Sequence, residues 1–136
     1  MDDLDRGTLL GLTPSGQRGV MPPVVLILEA RTEVASALEA AIALANLTPI
    51  VIPHLEHLSD VPCVPAAIVV RIAFESVSDP PHAAIARLPR DRPPVVAIAW
   101  EEDELEEARR LKCDVVLHAP HDITRLCETL TKLVAT

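Results

Sequence analysis

The chain has 136 residues, enough for one domain with a sizeable core, and 49% of them are hydrophobic. Its formal net charge is -8, with no Lys/Arg cluster to interrupt the acidity, which disfavours a nucleic-acid backbone as a direct ligand. Phe74 and Trp100 are the only Phe, Tyr or Trp side chains, so the core must be packed from Val, Ile, Leu and Ala, and no platform exists for stacking bases or sugars.

Cys63, Cys113 and Cys127 lie far apart and form no C-x-x-C pair, a usage that suits a reducing compartment and small apolar roles. Met1–Arg6 is acidic where a secretory leader carries positive charge, and no apolar run approaches membrane-spanning length. The expectation is a soluble, cytoplasmic protein with neither membrane nor nucleic acid among its partners.

Residues 1–21 read as a polar, Gly-bearing tail with scattered leucines, notably Leu9, Leu10 and Leu12. The domain is expected over 22–136, opening at Met21-Pro22-Pro23. The first apolar run is Val24–Leu28. Thr32 then caps a helix whose apolar residues are Val34, Leu38, Ala41, Ile42 and Ala45, and Asn46 stops it. The second run, Ile50–Ile52, lies between Pro49 and Pro53, which places it at a sheet edge where a missing donor costs little. His54–Ser59 allows one helical turn before the Pro-rich loop Asp60–Pro65.

The third run is Ala67–Ile72. Ser78-Asp79-Pro80-Pro81 starts a short helix, His82–Leu88, that ends at Pro89. Val95–Trp100 is the fourth run. The fourth helix, Glu101–Lys112, has acids at its start and Arg109, Arg110 and Lys112 at its end, matching the macrodipole, with Glu106 and Arg110 spaced as an i,i+4 pair. Val115–Leu117 is the fifth run. The last helix shows Ile123, Leu126, Cys127, Leu130, Leu133 and Val134 on one face, with Asp122 near its cap. Runs this apolar and continuous mark strands buried on both faces, and their alternation with helices gives a three-layer, doubly wound α/β sandwich around a parallel sheet.

In such a sheet chemistry sits outside the carboxyl ends of the strands. The residues there are Glu29-Ala30-Arg31, Arg71, Ala99-Trp100-Glu101 and His118-Ala119-Pro120, which make no catalytic set. No enzyme is expected. Glu29-Ala30-Arg31-Thr32 cannot wrap a pyrophosphate, so no dinucleotide or flavin cofactor is expected either. The His54/His57 and His118/His121 pairs lack the further ligands of a metal centre, and none is expected.

The element order and spacing, Pro94-Val95-Val96, Cys113-Asp114-Val115-Val116-Leu117 and the Ala119-Pro120 step resemble response-regulator receiver domains of the CheY type. The resemblance covers about Pro22 to the C-terminus and implies a flavodoxin-like sheet of order 2-1-3-4-5. The positions matching the family's phosphorylation site are Glu29, Ala30, Arg71, Ala99 and Ala119. Two acidic metal ligands are thus matched by Glu29 and Ala30, and the phospho-accepting aspartate by Arg71. Ala99 stands for the hydroxyl residue and Ala119 for the lysine. A slip of one residue does not restore the pattern, since neither Val70 nor Ile72 is a carboxylate.

Hard Mg²⁺ needs clustered carboxylate oxygens and phosphoryl transfer needs a nucleophile; Arg71 supplies neither. The resemblance therefore implies a pseudo-receiver, a signalling module of response-regulator type that works by protein–protein interaction without phosphorylation. A lone acid facing a lone base at neighbouring strand ends predicts a Glu29–Arg71 pair. By resemblance the partner, a second copy among the candidates, docks on the face of the fourth helix, fifth strand and fifth helix, around Glu104, Glu107, Arg110 and Arg125. The alternative is a small-molecule or anion site in the strand-end crevice, with Arg71 as anchor and Glu29, His118 and Trp100 around it.

Overall fold

The computed structural model describes residues 22–53, 64–72 and 81–135. The expected tail, the turn at His54–Ser59 with His54 and His57, Cys63, Phe74 and the Ser78-Asp79-Pro80 helix start lie outside these residues.

Five parallel strands make one sheet: β1 (Val24–Leu28), β2 (Thr48–Ile52), β3 (Ala67–Arg71), β4 (Val95–Ala99) and β5 (Val115–His118). Their spatial order is β2-β1-β3-β4-β5, the doubly wound order 2-1-3-4-5. Three α-helices are described, α1 (Thr32–Leu44), α2 (Glu102–Arg110) and α3 (Leu126–Ala135), with 3₁₀ segments at Pro81–Arg87 and Ile123–Arg125.

Side chains alternate across a strand, and each face has its own cluster. Val25, Ile27, Val69, Val96, Ile98 and Leu117 pack under Leu38 and Ile42 of α1 and Leu126 and Leu130 of α3. Leu26, Leu28, Ile68, Val70, Val95 and Ala97 pack under Ile85 and the Leu105 and Ala108 face of α2. Both faces of β1, β3 and β4 are therefore dry, which is why those runs are continuously apolar. Each fully buried Val, Leu or Ile contributes about 2 kcal/mol, so a core almost without aromatic rings gains its stability from many small increments.

Several boundaries differ from the sequence expectation. Strand β2 begins at Thr48 and takes Pro49 into the ladder, because Thr48 donates its backbone N–H to Pro23 O at 2.8 Å while β2 sits at an edge. Thr32 is the first helical residue, not the cap. Arg31 holds the N-cap position in extended conformation, with no side-chain cap bond. The Glu29 carboxylate accepts the Arg31 N–H at 2.9 Å and so fixes that residue outside the helix. Asn46 ends α1 in the left-handed region at φ 64°, a conformation asparagine tolerates.

The short segment after Pro80 is 3₁₀, which places His82 and Ile85 three residues apart on one buried face. Helix α2 stops at Arg110, and Lys112 turns the chain at φ 59°. The expected Glu106–Arg110 pair gives way to Glu107, which lies one turn from Arg110 at i,i+3 and accepts its Nε at 2.8 Å. The last helix begins as 3₁₀ at Ile123 and becomes α at Leu126.

Candidate functional site

Parallel pairing sets the carboxyl ends of β1, β3, β4 and β5 side by side. Leu28 is in register with Val70, Arg71 with Ile98, and Ala99 with His118. Glu29 follows β1 directly and Arg71 is the last residue of β3, so their side chains share one end of two adjacent strands. They meet as a two-pronged ion pair, Arg71 Nε donating to Glu29 Oε1 at 2.8 Å and Nη2 to Oε2 at 3.0 Å. The Glu29 side chain is 3% exposed and that of Arg71 14%. With the Arg31 N–H, three donors converge on one buried carboxylate.

The remaining strand-end residues are tied to the backbone. His118 Nε2 lies 3.0 Å from Trp100 O; a carbonyl only accepts, so this nitrogen carries the proton. His118 N donates to Asp122 Oδ2 at 3.1 Å, and Ala119 N to Ala99 O at 2.7 Å. Ala119 is buried and its bond to Pro120 is cis. The His118 and His121 rings meet edge to face at 6.1 Å. Ala30 is exposed, Ala99 is fully buried, and Trp100 is 50% exposed. Glu29 and Arg71 are thus brought together, while His118 braces β5 against the Trp100 peptide.

Those side chains do not fit a divalent cation. Both Glu29 oxygens already accept donors and a fixed guanidinium occupies the same place. Among the described residues no cluster of three or more His, Cys, Asp or Glu side chains could hold a metal ion.

Beside the pair lies an apolar cleft of about 320 Å³ between the first turns of α1 and the ends of β3 and β4. Val34, Ala37, Leu38, Ile98, Trp100 and Ile123 line it. Arg71 and Trp100 of the expected strand-end crevice also line it, while Glu29 and His118 do not, and its α1 and Ile123 walls were not foreseen because they come from elements distant in the chain.

The expected interface residues are in different environments. Glu104 is half-buried and employed inward: its Oε1 accepts Trp100 N at 2.7 Å and Glu101 N at 3.1 Å, capping α2. Arg110 is exposed and forks onto Glu107, whose carboxyl the guanidinium holds below its ordinary pKa. Arg125 is exposed, 3.6 Å from Asp122.

His82 is a feature the sequence reading passed over. It is 2% exposed, with Nε2 4.0 Å from Glu107 Oε2. Burial pushes its pKa below the ordinary value, with Glu107 and Glu104 opposing and Arg110 and Arg71 adding to the depression. Its three-residue spacing from Ile85 on a short 3₁₀ segment was the only signal available. Burial likewise raises the Cys113 thiol to about 11, which makes it an inert apolar side chain.

A scan of family models finds no match to this sequence, and no curated protein matches it. Solved structures do match. The response regulator receiver protein from Burkholderia phymatum superposes with a TM-score of 0.67 at 17% identity, over 83% of this chain and 95% of that one. The CheY-like response regulator receiver domain from Methylobacillus flagellatus gives 0.64 at 19% identity, over 82% and 98%. A sensor protein from Polaromonas sp. JS666 gives 0.66 at 22% identity, over 83% and 96%. The fold is that of a receiver domain. Identities this low carry the fold alone. Within it, the Glu29–Arg71 pair stands at the carboxyl ends of the first and third strands, where the receiver resemblance locates the phosphorylation site.

Proposed function

We propose that the chain is a pseudo-receiver, a signalling module that acts through a protein partner and does not use phosphorylation. The observation that carries this is the Arg71–Glu29 pair. By the receiver resemblance Arg71 stands for the phospho-accepting aspartate and Glu29 for a metal-ligand carboxylate, and the Glu29 carboxylate is committed to that guanidinium and to a backbone N–H. No nucleophile capable of accepting a phosphoryl group stands at Arg71, and its charge opposes a divalent cation. The pair holds the ends of β1 and β3 in one arrangement, so the module presents one surface. The partner face of this reading is the exposed side of α2, β5 and α3, with Arg110 and Arg125 exposed on it and the mostly buried Glu107 holding Arg110 in place; its partner in that reading is either another protein or a second copy.

The test titrates the protein with Mg²⁺, then with Mg²⁺ and beryllofluoride, following the fluorescence of Trp100, the only tryptophan. The expected result is no change, with calorimetry equally silent. A saturable, metal-dependent change would show a working phospho-receiver and overturn the proposal.

The competing reading is an anion or small-molecule site at Arg71 and His118. An anion there would have to displace Glu29 from both prongs of the guanidinium, and His118 Nε2 is already bonded to Trp100 O. A melting shift produced by an anion and abolished in Arg71→Met would favour it.

A further inference from the structure

Helix α2 holds one carboxylate between a buried imidazole and an exposed guanidinium. Ile85 of the 3₁₀ segment packs with Leu105 and Ala108 of α2, which sets His82, one turn before it, against the same helix. There His82 Nε2 lies 4.0 Å from Glu107 Oε2. Arg110, one turn further along α2, donates Nε to Glu107 Oε1 at 2.8 Å and Nη2 to the same Oε2 that His82 faces. Side-chain exposure climbs along this row, from 3% at His82 through 16% at Glu107 to 67% at Arg110. The row therefore runs from the core to the outer side of α2, and its two ends compete for one oxygen.

While His82 is neutral the guanidinium wins, because its fork takes both oxygens. A proton on His82 changes the balance. An imidazolium buried this deeply needs an anionic acceptor. Among the described residues the charged groups around it are Glu107, Glu104 and Arg110 of α2 and Arg71 at the end of β3. Glu104 is committed to the Trp100 and Glu101 N–H groups, and both arginines repel the new charge. That leaves Glu107 to answer it. A hydrogen bond needs a separation of about 3 Å, so Oε2 has to close the gap by about 1 Å, away from Arg110.

We propose that His82, Glu107 and Arg110 form a proton-linked relay from the core to the partner face: when His82 takes up a proton Glu107 turns to it, and Arg110 is released to meet an acidic group on the partner. The linkage is reciprocal. An acidic group that engages Arg110 frees Glu107 and so makes His82 easier to protonate. The relay itself is a property of the isolated chain; only what Arg110 then meets rests on the reading of α2, β5 and α3 as the partner face.

The test is an NMR titration of the isolated full chain, with circular dichroism followed alongside. It reads the His82 ring protons, assigned through His82→Gln, and the Arg110 Nε–H resonance. The Arg110 signal should shift with the midpoint of His82, and His82→Gln should abolish that shift. Glu107's own titration, held below its ordinary 4.5, falls at lower pH and is the part that His82→Gln leaves. Arg110→Met, at an exposed position, should move the His82 midpoint to higher pH, and Glu107→Gln should move it to lower pH. A His82 midpoint that Arg110→Met leaves in place would overturn the relay, as would an Arg110 signal indifferent to His82. Global unfolding that coincides with His82 protonation would overturn it too, since the proton would then enter by opening the core. None of these failures touches the pseudo-receiver reading, whose own failure is a response to beryllofluoride.

Discussion

Removing Arg71 from beneath the strand ends leaves Glu29 with a buried charge and, among the described residues, a single remaining donor, the Arg31 N–H. The Glu29 side chain is 3% exposed, so its charge is largely shielded from solvent by its surroundings. Breaking one side of a buried ion pair costs about 3–5 kcal/mol. The Arg31 bond and the partial access of Arg71 put Arg71→Met near the lower end, about 3 kcal/mol. For a domain of this size that corresponds to a fall in Tm of about 12 °C.

Removing both charges together, Glu29→Leu with Arg71→Met, leaves no orphan and should return stability to within about 1 kcal/mol of wild type. Urea unfolding of the four proteins, followed by circular dichroism, gives the coupling energy directly. The Arg31 bond, lost with Glu29 in both arms, largely cancels. A coupling of about 2 kcal/mol or more is expected. Coupling below about 0.5 kcal/mol would refute the claim that the pair holds β1 to β3, as would a pair that 1 M NaCl weakens like a surface contact.

Two further expectations concern α2 and its neighbour. The folded-state pKa of His82 is depressed by burial, so in the window just below 6.5 the unfolded chain binds more protons than the folded one. Stability should therefore fall as pH drops through that window and recover above it; His82→Gln should flatten the profile measured by urea unfolding, and an unchanged profile would refute the assignment. Glu104→Ala removes the acceptor for two backbone N–H groups at the start of α2 and should cost about 1 kcal/mol. Glu102→Ala, whose side chain is exposed on the same turn, serves as the control and should cost much less in the same denaturation series.

The sheet was legible because burial on both faces leaves a plain mark: unbroken apolar runs rich in Val and Ile at 24–28, 67–70 and 95–99. The Glu29–Arg71 pair was legible for a related reason, since strand ends in a parallel sheet are fixed relative to one another once the order is known. Boundaries set by a single tertiary bond were not. Thr32 has the chemistry of a cap, yet the Glu29 carboxylate holds Arg31 in the position that Thr32 would have taken. Glu106 and Glu107 are equally good partners for Arg110 by spacing, and only the rotation of α2 against the sheet chooses between them. His82 and the α1 wall of the cleft needed the packing of separate elements, which no local pattern records.

Strand β2 has one more consequence, for how copies of this protein meet. Thr48 N points toward β1, so by alternation the outward N–H positions along this edge are 49, 51 and 53. Two of the three are prolines, Pro49 and Pro53, and only Val51 has a hydrogen to offer. A strand from another molecule would find one donor where it needs a row of them. The opposite edge, β5, is only four residues long. Strand addition is thus disfavoured at β2 by chemistry and at β5 by brevity, which turns self-association away from edge-to-edge pairing and toward packing of side chains such as those on the α2–β5–α3 face.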